Sequence, residues 1–476
     1  MTVAQFKEVL LKQFSYEPTP GQVALINKIT GFCTDAQSAD IFVLKGYAGT
    51  GKTTIISALI KSLPAINLKS VLLAPTGRAA KVLSNYSQKQ AFTIHKKIYR
   101  RVTTADGGGR FVVQPNLHAN TLFIVDEASM ISNGGGLSGG FSGQSSLLDD
   151  LLNYVNAGIK CKLILIGDTA QLPPVGLNIS PALDLDYLRS SYSQTIDSTE
   201  LKDVVRQDEG SGILLNATNL RLQLLNNSAD SLKFITEDQT DIVRLDGNDL
   251  EDALNTAYSK YGVEGTAVIC RSNKRANQYN QQIRARIRWQ ESEISAGDYL
   301  MVVKNNYHWL PDESKAGFIA NGDIIEVLKV SSVKEQYDFR FVDAQIRMVD
   351  YPDELPIDVK LILDTLNAET PALTSEQNKK IYEGVSADHS DIGDRRMRLA
   401  AVKKDPFFNA LQVKFAYAIT CHKAQGGQWE TVFVDQGYLT KEMINIEFLR
   451  WLYTAVTRAT EKLYLVNFNK DFFEER

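Results

Sequence analysis

The chain has 476 residues, 44% of them hydrophobic and 23% charged, with a formal net charge of −4. That is the composition of a globular protein too long for a single core, so two to four domains are expected. No apolar run reaches bilayer-spanning length, Met1–Lys7 lacks a signal-peptide core, and Cys33, Cys161, Cys270 and Cys421 stand far apart with no C-x-x-C pair; this argues against a membrane partner, a disulfide framework and a zinc site, and a cytoplasmic protein is expected.

The net charge alone argues against a nucleic-acid partner, but the charge is unevenly spread. From Ile41 to Val125 the only acid is Asp106, against twelve Lys or Arg. A second acid-free window, Gly265–Gln290, carries Arg271, Lys274, Arg275, Arg284, Arg286 and Arg288. A phosphate track needs local positive charge rather than a basic whole; a solvated surface on a lysine-rich domain is the plainer alternative.

Residues 1–40 read as one or two helices with a turn at Pro18–Gly21. Gln22 follows that turn, and its amide suits the Hoogsteen edge of adenine, although alone it reads as a surface residue. The run Ile41–Leu44 then leads into Gly46-Tyr47-Ala48-Gly49-Thr50-Gly51-Lys52-Thr53, and Thr54–Ile60 continues as a helix. Strand, glycine-rich loop and helix in that order match G-x-x-x-x-G-K-[ST] at every fixed position. Backbone N–H groups at the helix N-terminus converge on phosphates, Lys52 brings a charge to the outer ones, and the Thr53 hydroxyl is offered to magnesium.

Ser70–Ala74 reads as a buried parallel strand ending in Pro75-Thr76-Gly77-Arg78 and Lys81, a hydroxyl and two cations at a strand end where ligands bind. Phe92, His95 and the following Lys96, Lys97, Tyr99, Arg100 and Arg101 interleave cations with rings, as a single-stranded nucleic-acid track requires. Strand formers on either side of Asp106-Gly107 predict a β-hairpin, either a wedge against a duplex junction or a surface decoration. Thr121–Val125 ends in Asp126-Glu127, an acid pair in which the first holds magnesium and the second polarises the attacking water. Ser132–Ser146 has six glycines and five serines and reads as a flexible loop. Cys161–Ile166 is a further strand, followed by Gln171, whose amide can switch partners when a γ-phosphate leaves.

The segments Gly46–Thr54, Ala74–Lys81, Thr93–His95, Val125–Met130, Gly167–Gly176, Leu201–Gln207, Tyr417–Gly426 and Tyr453–Ala459, in this order, resemble the superfamily 1 helicases, specifically the RecD/Dda-like branch that moves 5′ to 3′ on DNA. The resemblance implies an α/β protein of two RecA-like P-loop domains with ATP and Mg2+ between them. It implies Arg206 and Arg458 as arginine fingers, and Thr420, His422, Lys423, Gln425 and Gly426 as contacts to strand phosphates. The expected organisation is a first RecA-like domain over 1–190 with a hairpin at about 97–118, and a second over 191–290 and 405–476. A small β-barrel is inserted over 291–404, and within it 358–398 stays unassigned.

The expected partners are single-stranded DNA and duplex junctions, engaged by a monomer. An RNA helicase of the same superfamily, or an ATP-gated switch that holds nucleic acid without processive motion, stays open as an alternative.

Overall fold

The computed structural model describes residues 1–35, 37–103, 109–133, 146–205, 210–228, 232–311, 314 and 316–473. The first domain is built on β1 (Ile41–Gly46), β2 (Lys69–Ala74) and β3 (Ala91–Thr93), then, after the hairpin β4 (Tyr99–Thr103) and β5 (Gly109–Val113), on β6 (Thr121–Val125), β7 (Lys162–Gly167) and β8 (Ile196–Leu201). These strands form one six-stranded sheet in the order β3-β2-β6-β7-β1-β8, parallel throughout. Ile41–Leu44, Val71–Ala74 and Leu122–Val125 are buried on both faces, which is why they read as unbroken apolar runs.

On one face lie α1 (Val3–Gln13), α2 (Pro20–Thr34) and α3 (Lys52–Ser62), which bring Phe6, Leu10, Leu25, Ile26, Ile29, Ile55 and Leu59 onto the sheet. Leu148, Leu151 and Leu152 of the helix Leu147–Asn156 cover the other face. β8 extends this domain beyond the residue-190 boundary. Its sequence, Ile-Asp-Ser-Thr-Glu-Leu, buries only Leu201, as an edge strand can, so it carries no run of apolar residues to announce it.

The second domain holds β9 (Ile242–Leu245) and β10 (Thr266–Cys270). The chain then forms a closed barrel of β11 (Tyr299–Val302), β12 (Ile324–Gln336), β13 (Phe339–Met348), β14 (Ile357–Ile362) and β15 (Leu411–Phe415). It returns with β16 (Ala418–Thr420), β17 (Trp429–Asp435) and β18 (Ala459–Val466), completing a parallel sheet in the order β16-β10-β17-β18-β9.

The run Val413–Ile419, which reads as one strand of the second domain, is thus divided: Leu411–Phe415 closes the barrel, and only Ala418–Thr420 joins the second sheet. The barrel therefore takes its last strand from beyond residue 404. The unassigned segment contributes β14, the helix Ser375–Asp388 and the start of the helix Arg395–Lys404. Ile381, Val385 and Val402 of these helices pack on Phe339 and Phe341 of the barrel.

A buried cluster clamps both connections between barrel and second sheet. Arg284 grips Asp298 with two hydrogen bonds of 2.9 Å, and the Tyr417 hydroxyl donates to the same carboxylate at 2.9 Å while accepting from the Tyr299 N–H at 3.2 Å. Asp298 and Tyr417 are fully buried. Removing one partner strands a buried charge, so Asp298→Ala is expected to cost about 3–5 kcal/mol, measured as a lower denaturant midpoint for the barrel and second domain.

Candidate active site

The carboxyl ends of β1, β6 and β7 gather the phosphate loop, the acid pair and Gln171 on the side of the sheet where α/β folds bind ligands. They line a cleft of about 830 Å3 whose opposite wall is Gln428, Trp429, Glu430 and Thr457–Thr460 of the second domain. Gly49 and Gly51 stand at φ +73° and +79°, a region that glycine enters without strain. Gly46 is also tightly flanked, since a Cβ there would sit 3.0 Å from both the Lys52 and Thr50 side chains, which would have to shift. Ala48, Thr53 and Thr54 line the cleft with Lys52, and Thr50 is buried behind it.

Lys52 Nζ donates to the Gly46 and Tyr47 carbonyls at 2.6 and 2.7 Å, so the ammonium is held inside the loop it serves. The Gln22 amide is also engaged: Nε2 donates to the Thr50 carbonyl at 3.1 Å and Oε1 accepts from the Thr19 N–H at 3.0 Å. Gln22 therefore ties the N-terminus of α2 to the phosphate loop and keeps only part of its amide for a base.

Asp126 Oδ1 accepts from the Glu127 N–H at 2.8 Å, and Oδ2 accepts from the Tyr86 hydroxyl at 2.6 Å. Glu127 has φ +53°, a strained conformation for an acid and of the kind that collects at functional sites. Burial pushes its carboxyl up, against the pull of Arg458, whose Nη1 lies 3.8 Å from Glu127 Oε1. Arg458 is 4% exposed and aimed from the second domain by hydrogen bonds to the Thr454 and Gly427 carbonyls at 3.1 and 3.2 Å. Among the described residues no donor reaches the buried Oε1 of Gln171, an orphan that a ligand in the cleft would satisfy. Thr53 and Asp126 are hard oxygen donors on this cleft, and as a donor set they fit magnesium. Arg206 lies outside the described residues.

Residues 18–233 match the family model described as an AAA domain, and 415–466 match the UvrD-like helicase C-terminal domain. The two matched segments supply the two walls of the cleft. The chain belongs to the superfamily 1 helicases, in the RecD/Dda-like branch.

It is 24% identical over 457 residues to the ATP-dependent DNA helicase dda of Enterobacteria phage T4, covering 89% of this chain and 93% of that one. It is 24% identical over 435 residues to the ATP-dependent RecD2 DNA helicase of Deinococcus radiodurans, covering 89% of this chain but 46% of the relative. Among solved structures it resembles a Pif1 helicase from Bacteroides in complex with ADP-AlF3 and ssDNA, at 16% identity and a TM-score of 0.46, over 94% and 93% of the two chains. As a member of this group the chain is an ATP hydrolase.

In this helicase the residues expected on the nucleic-acid track fall into two sets. Thr76 caps α4 (Gly77–Ser87) by accepting from the Ala79 N–H, and Pro75 precedes it at the end of β2. Phe92 lies under the ammonium groups of Lys96 and Lys97 at 5.8 and 5.6 Å, and Thr420 and the exposed His422 stand at the end of β16. Lys423 donates to Asn321 of the barrel at 3.2 Å, and burial and then Lys414 push its pKa down to about 8. Burial takes His95 down to about 4, so it is neutral near pH 7 and brings no charge to phosphates.

The second set is committed to protein. The Arg78 guanidinium stacks on Trp429 of the second domain at 3.9 Å, and Lys81 pairs with Asp350 at 3.4 Å. Gln425 is 6% exposed and donates to the Leu172 carbonyl at 2.6 Å, while Gly426, at φ +73°, leaves no room for a Cβ beside Ala79. These residues join domains in the structure. Sequence reasoning missed Tyr86, which stands outside every segment that carries the resemblance, and gave no role to Tyr453 and Thr454 although they open the segment Tyr453–Ala459; the partner a phenol or hydroxyl will meet carries no local signal.

Lys52→Ala and Glu127→Gln are each expected to lower ATP turnover at least 100-fold, as losses of a phosphate-binding cation and a water-orienting base do. Steady-state hydrolysis by the purified variants checks this; substantial residual turnover would remove both residues from the site.

Proposed function

We propose that this protein is an ATP-dependent DNA helicase that translocates 5′ to 3′ on single-stranded DNA and unwinds duplex, acting as a monomer. The reading is carried by one observation: Gln425, in the strand-contact segment, holds the Leu172 carbonyl, next to Gln171 in the nucleotide cleft. A change in the cleft thus reaches the strand path through one residue. Thr454 accepts from the Leu172 N–H at 2.8 Å, so both backbone groups of Leu172 belong to the second domain.

In the proposed cycle ATP phosphates draw Lys52 away from the Gly46 and Tyr47 carbonyls. Glu127 orients the attacking water. Arg458 approaches the transferring phosphoryl group from the opposite wall and stabilises its equatorial charge. Thr53 and Asp126 would hold magnesium, which would supply charge neutralisation at the outer phosphates. Loss of the γ-phosphate frees the Gln171 amide, and the shift passes through Leu172 to Gln425 and the segment that grips the strand. Contacts to phosphates rather than bases let the protein step over any sequence.

The hairpin β4–β5 is anchored beside this track by the Tyr99 hydroxyl, which donates to Asp150 at 2.7 Å. We propose it as the wedge at the junction; its Asp106-Gly107 tip lies outside the described residues.

Duplexes of DNA and of RNA with 5′ or 3′ single-stranded tails test the reading together. Unwinding of 5′-tailed DNA alone is expected. Opening of 3′-tailed DNA would overturn the polarity, a preference for RNA would favour the related RNA helicase, and ATP turnover without unwinding would favour a switch. Shortening Thr103–Gly109 is expected to reduce unwinding several-fold while strand-stimulated ATP turnover persists. If both fall together, the hairpin is not a wedge.

A further inference from the structure

α4 starts just after β2, where Thr76 caps it, and its last turns line the nucleotide cleft. Tyr86 sits in its last turn. The phenol donates to Asp126 Oδ2 at 2.6 Å, from the side opposite the Glu127 N–H that holds Oδ1 at 2.8 Å. Tyr86 is itself fixed: its backbone carbonyl accepts from Ser57 Oγ of α3 at 3.0 Å, and its ring packs on the core of the first domain.

A carboxylate in a cleft can rotate about its terminal bond, and a cation is held well only when that plane is fixed. Here each oxygen of Asp126 receives one fixed donor, which sets the plane and leaves the remaining lone pairs for a cation beside Thr53.

We propose that Tyr86 is a positioning residue for the cation-holding carboxylate of Asp126, setting the affinity for the divalent ion that accompanies the nucleotide. This rests on the reading of Asp126 and Thr53 as the metal pair. The substitution Tyr86→Phe removes the hydroxyl and keeps the ring. Full-length protein, Tyr86→Phe and Asp126→Asn are titrated with Mn2+ in the presence of ADP, and bound Mn2+ is followed by electron paramagnetic resonance.

The expected result is a rise of roughly tenfold or more in the Mn2+ dissociation constant of Tyr86→Phe, the range for loss of a ligand-orienting partner. The magnesium concentration for half-maximal ATP turnover should rise by a similar factor, with turnover at saturating magnesium retained. Unchanged Mn2+ affinity overturns the proposal, as does a lower turnover with no change in magnesium dependence, which is what lost packing would produce. If Asp126→Asn binds Mn2+ as tightly as the parent protein, the metal reading itself fails, whatever Tyr86 does.

Discussion

The structure turns on hydrogen bonds that cross the nucleotide cleft and bury their partners. The Tyr453 hydroxyl accepts from the Ala48 N–H at 2.8 Å and donates to Asp168 at 2.7 Å, so one side chain of the second domain holds two segments of the first. Thr454 and Gln425 take both backbone groups of Leu172. Tyr453 and Thr454 are 1% and 0% exposed, and a buried polar group left unpaired costs about 1–3 kcal/mol. The domains can therefore move only by exchanging these partners for others. The phosphate loop, the acid-bearing strand ends and the strand-contact segment are set in relation to one another by that requirement.

Apolar packing reinforces the same geometry. Tyr47, Ala170 and Leu172 of the first domain belong to one buried cluster with Ile419, Trp429, Leu452 and Val456 of the second. A second cluster joins the second sheet to the barrel, so the barrel moves with that sheet rather than as a loose appendage. α4 touches all three parts: Arg78 lies on Trp429, Lys81 reaches Asp350 of the barrel, and Tyr86 holds Asp126. Its N-terminus also faces the buried carboxyl of Asp323, which burial pushes up to about 8. A helix so placed is where the first domain, the second domain and the barrel meet.

Left-handed backbone occurs at the cleft and the interface, as it does elsewhere, for instance at Lys160 and Trp289. Glu127 takes a left-handed conformation at the end of β6, and Gly426 takes one where the two domains come closest. Only a residue without a Cβ fits beside Ala79 there, which makes Gly426 a packing requirement of the interface as well as a turn. Arg458 shows the matching economy on the opposite wall. Three hydrogen bonds fix its guanidinium on its own domain, so its approach to Glu127 costs little further ordering.

Much of this was legible from the sequence, because some signals are local. A phosphate loop is defined by a run of consecutive residues, a buried parallel strand by a run of apolar ones, and a hairpin by strand formers around a turn; Gly46–Thr53, Thr121–Glu127 and Tyr99–Val113 all carry such signals. The order of the segments then determined the family, and with it the two facing sheets and the barrel.

What the chain could not announce was which partner each side chain would meet. The polar edge strand Ile196–Leu201 has no apolar period, and Val413–Ile419 reads as one strand although Ala416 and Tyr417 turn it from barrel to sheet. Arg78 and Gln425 have the chemistry of phosphate contacts, yet they stack and bond across the interface. Tyr86 looks like any core aromatic until the fold brings Asp126 to it from 40 residues away. Residue type limits the bonds a group can form, but only the tertiary arrangement decides whether solvent, the neighbouring domain or a cleft carboxylate is within reach.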